Sequence, residues 1–236
     1  MKAEWKVLFL AREGCPYSKD IEEILVRNPH VSLTTHRTKN FLEKLPQHIL
    51  RWNGDYLLSF RNTSIVPATL LGQCKIASIN FHPGPVEYPG SGAGSWALLD
   101  GVTSFGVTAH LMEAKVDAGP VISTVNFPIT ETDNSVSLLK KTHSALHKLA
   151  VEVIQELLAG GRTYLDLALQ AHFDLRWADR RRRMETLNKL RSLSPEVSPE
   201  KLQLLVRALH SEDFPLTLTL HGHNFVLKGP PQSGTE

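Results

Sequence analysis

The sequence predicts an α/β protein on a mixed, mostly parallel sheet, followed by a small C-terminal subdomain of helix and β-hairpin. Three observations carry this. The chain opens strand, helix, strand over Lys6–Ala11, Ser18–Arg27 and Val31–Thr35, the order of a parallel βαβ unit. Two more apolar runs, Asp55–Phe60 and Lys75–Phe81, have strand length and are bounded by turn residues. After Gly161 the character changes to a basic run, a loop punctuated by Pro195 and Pro199, and two alternating segments around His221-Gly222-His223.

A chain of 236 residues, 42% of them hydrophobic, is long enough for one substantial core with a small appendage. The formal net charge of +2 does not point to a nucleic-acid partner. Cys15 and Cys74 read as free thiols of a reducing compartment. No apolar run approaches the ~20 residues of a membrane span, and Glu4 and Lys6 interrupt any signal-peptide pattern. The expectation is a cytoplasmic protein with no membrane partner.

In order, Lys6–Ala11 is a buried strand and Arg12–Pro16 its exit loop. Ser18 is the expected N-cap of a helix with Asp20, Glu22 and Glu23 in its first turns. A dinucleotide or phosphate site in the first turn needs several glycines to let backbone N–H groups approach. This turn has Gly14 and then Pro16, which argues against one. Phe41–Trp52 has helical spacing. Asp55–Phe60 is the next strand, Arg61–Thr63 its exit, and Pro67–Leu71 a short helix ended by Gly72. Lys75–Phe81 should be central, since residues that carry chemistry project from the C-terminal ends of parallel strands. Ser95–Asp100 is helical, and Gly106–Met112 and Pro120–Phe127 are strands flanking a turn at Asp117.

Asn134 or Ser135 caps a long helix to about Ala159, closed by Gly160-Gly161. Its apolar face runs through Leu138, Leu139, Thr142, Leu146, Leu149, Val153 and Leu157. His143 and His147 lie four apart on this helix without a third ligand nearby, so they read as solvent-facing or core-edge residues, and no metal site is expected. Arg176–Arg183 is basic, Leu187–Leu193 a short helix or turn, Glu200–Leu209 a helix, Leu216–Leu220 with Asn224–Leu227 a hairpin, and Gly229 onward a frayed tail. The expected division is 1–164 and 165–236.

The chemistry concentrates between Ile79 and Ile122. Asn80 and His82 are two apart on one strand and share a face. They precede a loop with Pro83, Gly84, Pro85, Pro89, Gly90, Gly92 and Gly94, material for a pocket wall. Asp117 lies in a turn able to present a carboxylate to the sheet. Amide, imidazole and carboxylate suit attack of an amine on a carbonyl: oxyanion stabilisation by the amide, proton handling by the imidazole, orientation by the carboxylate.

Asn80-Phe81-His82, Gly106-Val107-Thr108-Ala109-His110 and Asp117-Ala118-Gly119-Pro120-Val121-Ile122 stand in this order. The stretch resembles the 10-formyltetrahydrofolate-dependent formyltransferase family, well over Asp55–Leu158 and weakly before it. The resemblance implies a Rossmann-like formyltransferase fold, catalytic Asn80, His82 and Asp117, a supporting role for His110, and 10-formyltetrahydrofolate as co-substrate. It implies a folate pocket lined by the loop after Phe60 (Phe60, Arg61, Asn62, Val66) and by the turn before Asp117 (Lys115, Val116).

Within the family, glycinamide-ribotide enzymes carry a Gly-rich loop after the first strand, and methionyl-tRNA enzymes a further C-terminal domain for which this chain has little left after Gly161. His82-Pro83-Gly84-Pro85 with Glu87-Tyr88-Pro89-Gly90, then Trp177, Asn188-x-Leu190 and Arg207-Ala208 before Phe214-Pro215, look like the sugar N-formyltransferases. These imply a nucleotide-linked amino sugar as acceptor, with dTDP-4-amino-4,6-dideoxyhexose the best guess; separately, the exposed edges of the Leu216–Leu227 hairpin suit a homodimer. Pro83, Gly84, Pro85, Glu87, Tyr88, Trp96 and Arg181 are the acceptor-side candidates. Guanidinium suits phosphate, so Arg180–Arg183 are available for a pyrophosphate, or form a solvated face. Tyr88, Trp96 and Trp177 fit base stacking or ordinary packing. Alternatives are another acceptor on the same triad (methionyl-tRNA, glycinamide ribotide or water) or a non-catalytic folate- or nucleotide-binding module.

Overall fold

The computed structural model describes residues 5–228; the expected tail from Gly229 lies outside them. A six-stranded sheet runs β2-β1-β3-β4-β5-β6. β1 (Trp5–Arg12), β2 (Val31–Thr38), β3 (Gly54–Phe60) and β4 (Cys74–His82) pair in parallel, while β5 (Ser104–Leu111) pairs antiparallel with β4 and β6 (Val121–Pro128) antiparallel with β5. β3 and β4 are therefore the central strands.

Strand periodicity sorts the two faces. Val7, Phe9 and Ala11, with Tyr56, Leu58, Phe60, Ile79, Phe81, Val107 and Ala109, form the main core against α1 (Pro16–Arg27) and α5 (Ser135–Ala171). Leu8, Leu10 and Leu57 face the other way, onto Leu45, α2 (Gln47–Leu50), Val66 and α3 (Ala68–Leu71). A third cluster joins Tyr88, α4 (Ala93–Asp100) and Phe105 to α6 (Met184–Leu190) and α7 (Pro199–Leu209). β7 (Ser192–Leu193), β8 (Thr217–Leu220) and β9 (His223–Val226) form a second small sheet.

Several local expectations are corrected. The N-cap of α1 is Cys15, not Ser18; Pro16 takes the first helical position, where its missing N–H costs nothing, and Ser18 is buried inside the helix. Only Gln47–Leu50 of the expected Phe41–Trp52 helix forms. Pro46 starts it, and the carboxylate of Glu43 instead accepts from the N–H groups of Lys39 and Asn40 in a turn, leaving Phe41 and Leu42 exposed. Asn134 is the cap of α5, in a reciprocal capping box with Ser137.

The glycine pair does not stop α5. Gly161 takes φ 56° and ψ −133°, kinking the helix, which resumes to Ala171. Leu165 beyond the kink is buried in the main core, so packing continues across the expected division at 164/165. His147 on α5 is 2.6 Å from the Asp20 carboxylate of α1, an inter-helix tie. Burial, with the Arg61 charge, pushes His143 down to about 4. Among the described residues no group of three or more His, Cys, Asp or Glu is placed to hold a metal. No helix among them is long and apolar enough to cross a membrane.

Candidate active site

The site forms where β4 leaves the sheet. Ile79 and Phe81 point into the main core, so Asn80 and His82 point to the opposite face. On β5, Asn80 stands opposite His110 and His82 opposite Thr108. The β5–β6 connection returns Asp117 to this face with φ 49°, in the left-handed region that Asn, Asp and Gly tolerate best. Its Oδ2 accepts from Gly90 N–H at 2.8 Å, which ties the connection to the Pro/Gly loop.

The four polar side chains make one connected network. Asp117 Oδ1 lies 3.5 Å from His82 Nδ1 and 3.7 Å from His110 Nε2. Asn80 Nδ2–H donates to His110 Nε2 at 3.1 Å, and His110 Nδ1–H donates to the Leu111 carbonyl at 2.7 Å. His82 Nε2–H donates to the Tyr88 carbonyl at 3.0 Å, so the ring presents Nδ1 to Asp117. Burial pushes His110 down to about 4 against the opposing pull of Asp117, which keeps it neutral near neutral pH. His82, His110 and Asp117 are buried, whereas Asn80 is half-buried and is where the network meets the surface.

Trp177 covers the imidazoles. Its ring stands edge-on to His82 and His110, with centroids 5.4 and 4.9 Å away, and its Nε1–H donates to the Gly119 carbonyl at 2.8 Å. The segment bearing it follows α5 and is stitched to the Pro/Gly loop. Ala178 N–H donates to the Val86 carbonyl, Arg182 N–H to the Pro89 carbonyl, and Ser91 N–H to the Arg182 carbonyl.

Beside Asp117 opens a cleft of about 530 Å³. Of the residues expected from sequence, Lys115, Val116, Asp117 and Arg181 line it. Its far wall comes from residues that sequence reasoning missed, among them Leu169, His172, Phe173 and Arg176 at and beyond the end of α5. The readable signals were the apolar spacing that resumes after Gly161 and the onset of the basic run at Arg176.

Other expected positions are corrected. Phe60 is fully buried in the main core beside Phe81, and Val66 is buried in the α2–α3 core, so neither presents a side chain to a ligand. Asn62 uses its amide locally, donating to the Ser64 carbonyl and accepting from Ser64 N–H. Arg61, at φ 53°, donates to Cys15 Sγ at 3.2 Å. Burial alone would raise the Cys15 thiol, but Ser18 and Arg61 outweigh it and hold it below its ordinary value. Tyr88 and Trp96 are packing residues of the α4 cluster, not open stacking surfaces. Arg182 lies over both rings, 5.5 and 4.8 Å from their centroids, and pairs with Asp100 at 2.5 Å. Of the arginine run it is thus the inward-turned member, while Arg181 reaches the cleft. Gly84 and Pro85 are buried; Pro83 and Glu87 are exposed.

A family model described as Formyl transferase matches residues 12–154. The methionyl-tRNA formyltransferase of Listeria innocua is 37% identical over 125 residues, 52% of this chain and 39% of that protein. The chain thus spans about two fifths of the length of that curated relative. A 4-N formyltransferase from Francisella tularensis aligns with a TM-score of 0.76 at 14% identity, over 95% of this chain and 97% of that one. An N-formyltransferase from Helicobacter canadensis, solved with folinic acid and dTDP-3-aminofucose, aligns with a TM-score of 0.66 at 15% identity, over 92% of this chain and 85% of that one. At these identities the two structures establish a shared fold.

Proposed function

The chain belongs to the formyl transferase family, and from that premise we propose that it moves a formyl group from 10-formyltetrahydrofolate to the amine of a nucleotide-linked amino sugar. The observation that carries the reading is the connected network of Asn80, His110, Asp117 and His82 at the end of β4. Such a set has no nucleophilic Ser or Cys in it, which suits direct acyl transfer from a carrier to an amine.

The residues present fit the carrier. β3 ends level with the network, since Ser59 pairs with Asn80 and Phe60 with Phe81. The backbone of Phe60–Asn62 therefore offers edge groups beside Asn80, and Ile65 in the same loop exposes an apolar side chain. When bound, the carrier supplies the activated formyl group. Asn80, through its remaining Nδ2–H, holds the oxygen of the formyl carbon as it becomes an oxyanion. His82 takes the amine proton at Nδ1, and Asp117 stabilises the imidazolium that results; as the bond from the formyl carbon to the carrier nitrogen breaks, that proton passes to the departing nitrogen, leaving tetrahydrofolate and the formylated amine.

Acceptor assignment follows the Pro/Gly loop and the C-terminal pattern described from the sequence. Arg176 and Arg181 along the cleft suit the phosphates of a nucleotide sugar. The identity to methionyl-tRNA formyltransferases favours a second reading, methionyl-tRNA as acceptor on the same network. One assay separates them. The protein and 10-formyltetrahydrofolate are incubated with dTDP-, UDP- and GDP-linked amino sugars and, separately, with methionyl-tRNA. A mass gain of one CO on an amino sugar, absent with His82→Ala, supports the sugar reading; formylation of methionyl-tRNA alone replaces it. A cross-linking or sedimentation measurement on the purified protein tests the expected homodimer separately.

A further inference from the structure

We infer that His110 is a positioning residue that fixes the amide orientation of Asn80, and so decides which Asn80 atom faces the reacting carbonyl. The inference rests on the formyl-transfer reading and deepens it.

The argument runs through a chain of hydrogen-bond polarities. The Leu111 carbonyl, 2.7 Å from His110 Nδ1, can only accept, so Nδ1 carries a proton. The ring is 2% exposed, and burial keeps it neutral although Asp117 faces it at 3.7 Å and His82 lies beyond that carboxylate. With one proton, on Nδ1, Nε2 is a bare acceptor. The Asn80 amide lies 3.1 Å from that bare nitrogen, and only its NH₂ end can meet it. One Nδ2–H is thereby used, Oδ1 is turned away, and the second Nδ2–H is left for the oxyanion.

The opposite amide flip would set Oδ1 against the Nε2 lone pair and aim an acceptor at the developing negative charge. Moving the His110 proton to Nε2 would reverse the amide and pair the ring with Asp117. The Leu111 carbonyl therefore selects the tautomer, the tautomer selects the flip, and the flip supplies the oxyanion donor. Strand register makes the relay short, because Asn80 and His110 are directly opposed on β4 and β5.

The test uses two substitutions and one spectrum on the full chain. His110→Leu removes the acceptor. His110→Gln sets an amide oxygen near the position of Nε2 and keeps it. Expected is a fall in kcat of about a hundredfold for His110→Leu with KM for both substrates unchanged, and recovery to within about tenfold of wild type for His110→Gln. Nitrogen NMR of labelled wild-type protein at neutral pH should show His110 protonated at Nδ1 and bare at Nε2. A wild-type ring protonated at Nε2, or a folded His110→Leu protein with wild-type kcat, overturns the inference. If His110→Leu fails to fold, the tautomer and the His110→Gln kinetics decide it. A wild-type protein that transfers no formyl group to any acceptor overturns the functional reading instead, while the tautomer still decides the positioning of Asn80.

Discussion

Replacing Asp117 by asparagine separates the charge of the carboxylate from its shape. Asn tolerates the left-handed backbone at φ 49°, and its amide oxygen can still accept the Gly90 N–H now bound by Oδ2. The charge alone is lost. At 3.5 Å from His82 Nδ1, and with an effective dielectric of about 20, a full negative charge stabilises an imidazolium by about 5 kcal/mol. If the proton reaches His82 in the rate-limiting step, most of that difference appears in the barrier, which corresponds to a fall in kcat of about a thousandfold. Stability should move little or upward, because a carboxylate that is 6% exposed and faces a neutral His110 carries a desolvation cost that the amide does not. Single-turnover formyl transfer followed by mass spectrometry, with a parallel urea denaturation, reads both effects. Activity within tenfold of wild type would refute the imidazolium argument. A large loss of stability would show that the carboxylate is chiefly structural.

Three further outcomes follow from the same geometry. A methyl group at Gly84 would sit 2.8 Å from both His82 Nε2 and the Cβ of Ala93, so Gly84→Ala should displace the imidazole and lower kcat at least about tenfold while the fold survives; wild-type turnover would contradict this. Arg182→Ala removes the cation over Tyr88 and Trp96 and the partner of Asp100, and should cost about 2 kcal/mol in chemical denaturation, with Arg181→Ala costing little by comparison. His110, held near 4 against an ordinary 6.5, makes the fold acid-sensitive. The unfolded chain takes up this proton first, so the contribution is complete above 6.5 and is lost as pH falls toward 4, up to about 3 kcal/mol. His143 acts with the same sign. His110→Gln should flatten stability against pH in that window; an unchanged slope would show that other groups govern it.

The alternation of Ile79 and Phe81 with Asn80 and His82 made the central strand and its polar face readable, because period two is a local property. The Asp117 turn was readable through its motif. What the sequence did not show depends on partners distant along the chain. For Tyr88 and Trp96 packing is the favoured reading over a ligand contact, but its partner, Arg182 folded inward onto both rings and onto Asp100, has no local signature. Gly160-Gly161 read as a helix stop, yet the continuation is held by Leu165 in the main core, a tertiary contact that overrides the local signal. Phe60 and Val66 turn their side chains inward, Phe60 into the main core from the end of β3 and Val66, in the loop beyond it, into the α2–α3 core, contacts that local sequence does not reveal. Spacing along Phe41–Trp52 suggested a helix, but Pro46 and the Glu43 carboxylate together favour a turn. The covering position of Trp177 had no local signature, because it is set by a hydrogen bond to Gly119, far earlier in the chain.

The most direct measurement is rapid-quench transfer of an isotope-labelled formyl group from 10-formyltetrahydrofolate to the amino-sugar acceptor, comparing wild type with Asn80→Ala and His82→Ala, alongside equilibrium binding of the carrier. The account predicts that all three proteins bind the carrier with similar affinity and that only the wild type transfers the label at an appreciable rate. Wild-type protein that binds carrier and acceptor without moving the label, or variants that move it as fast as wild type, would contradict the assignment of the network to formyl transfer.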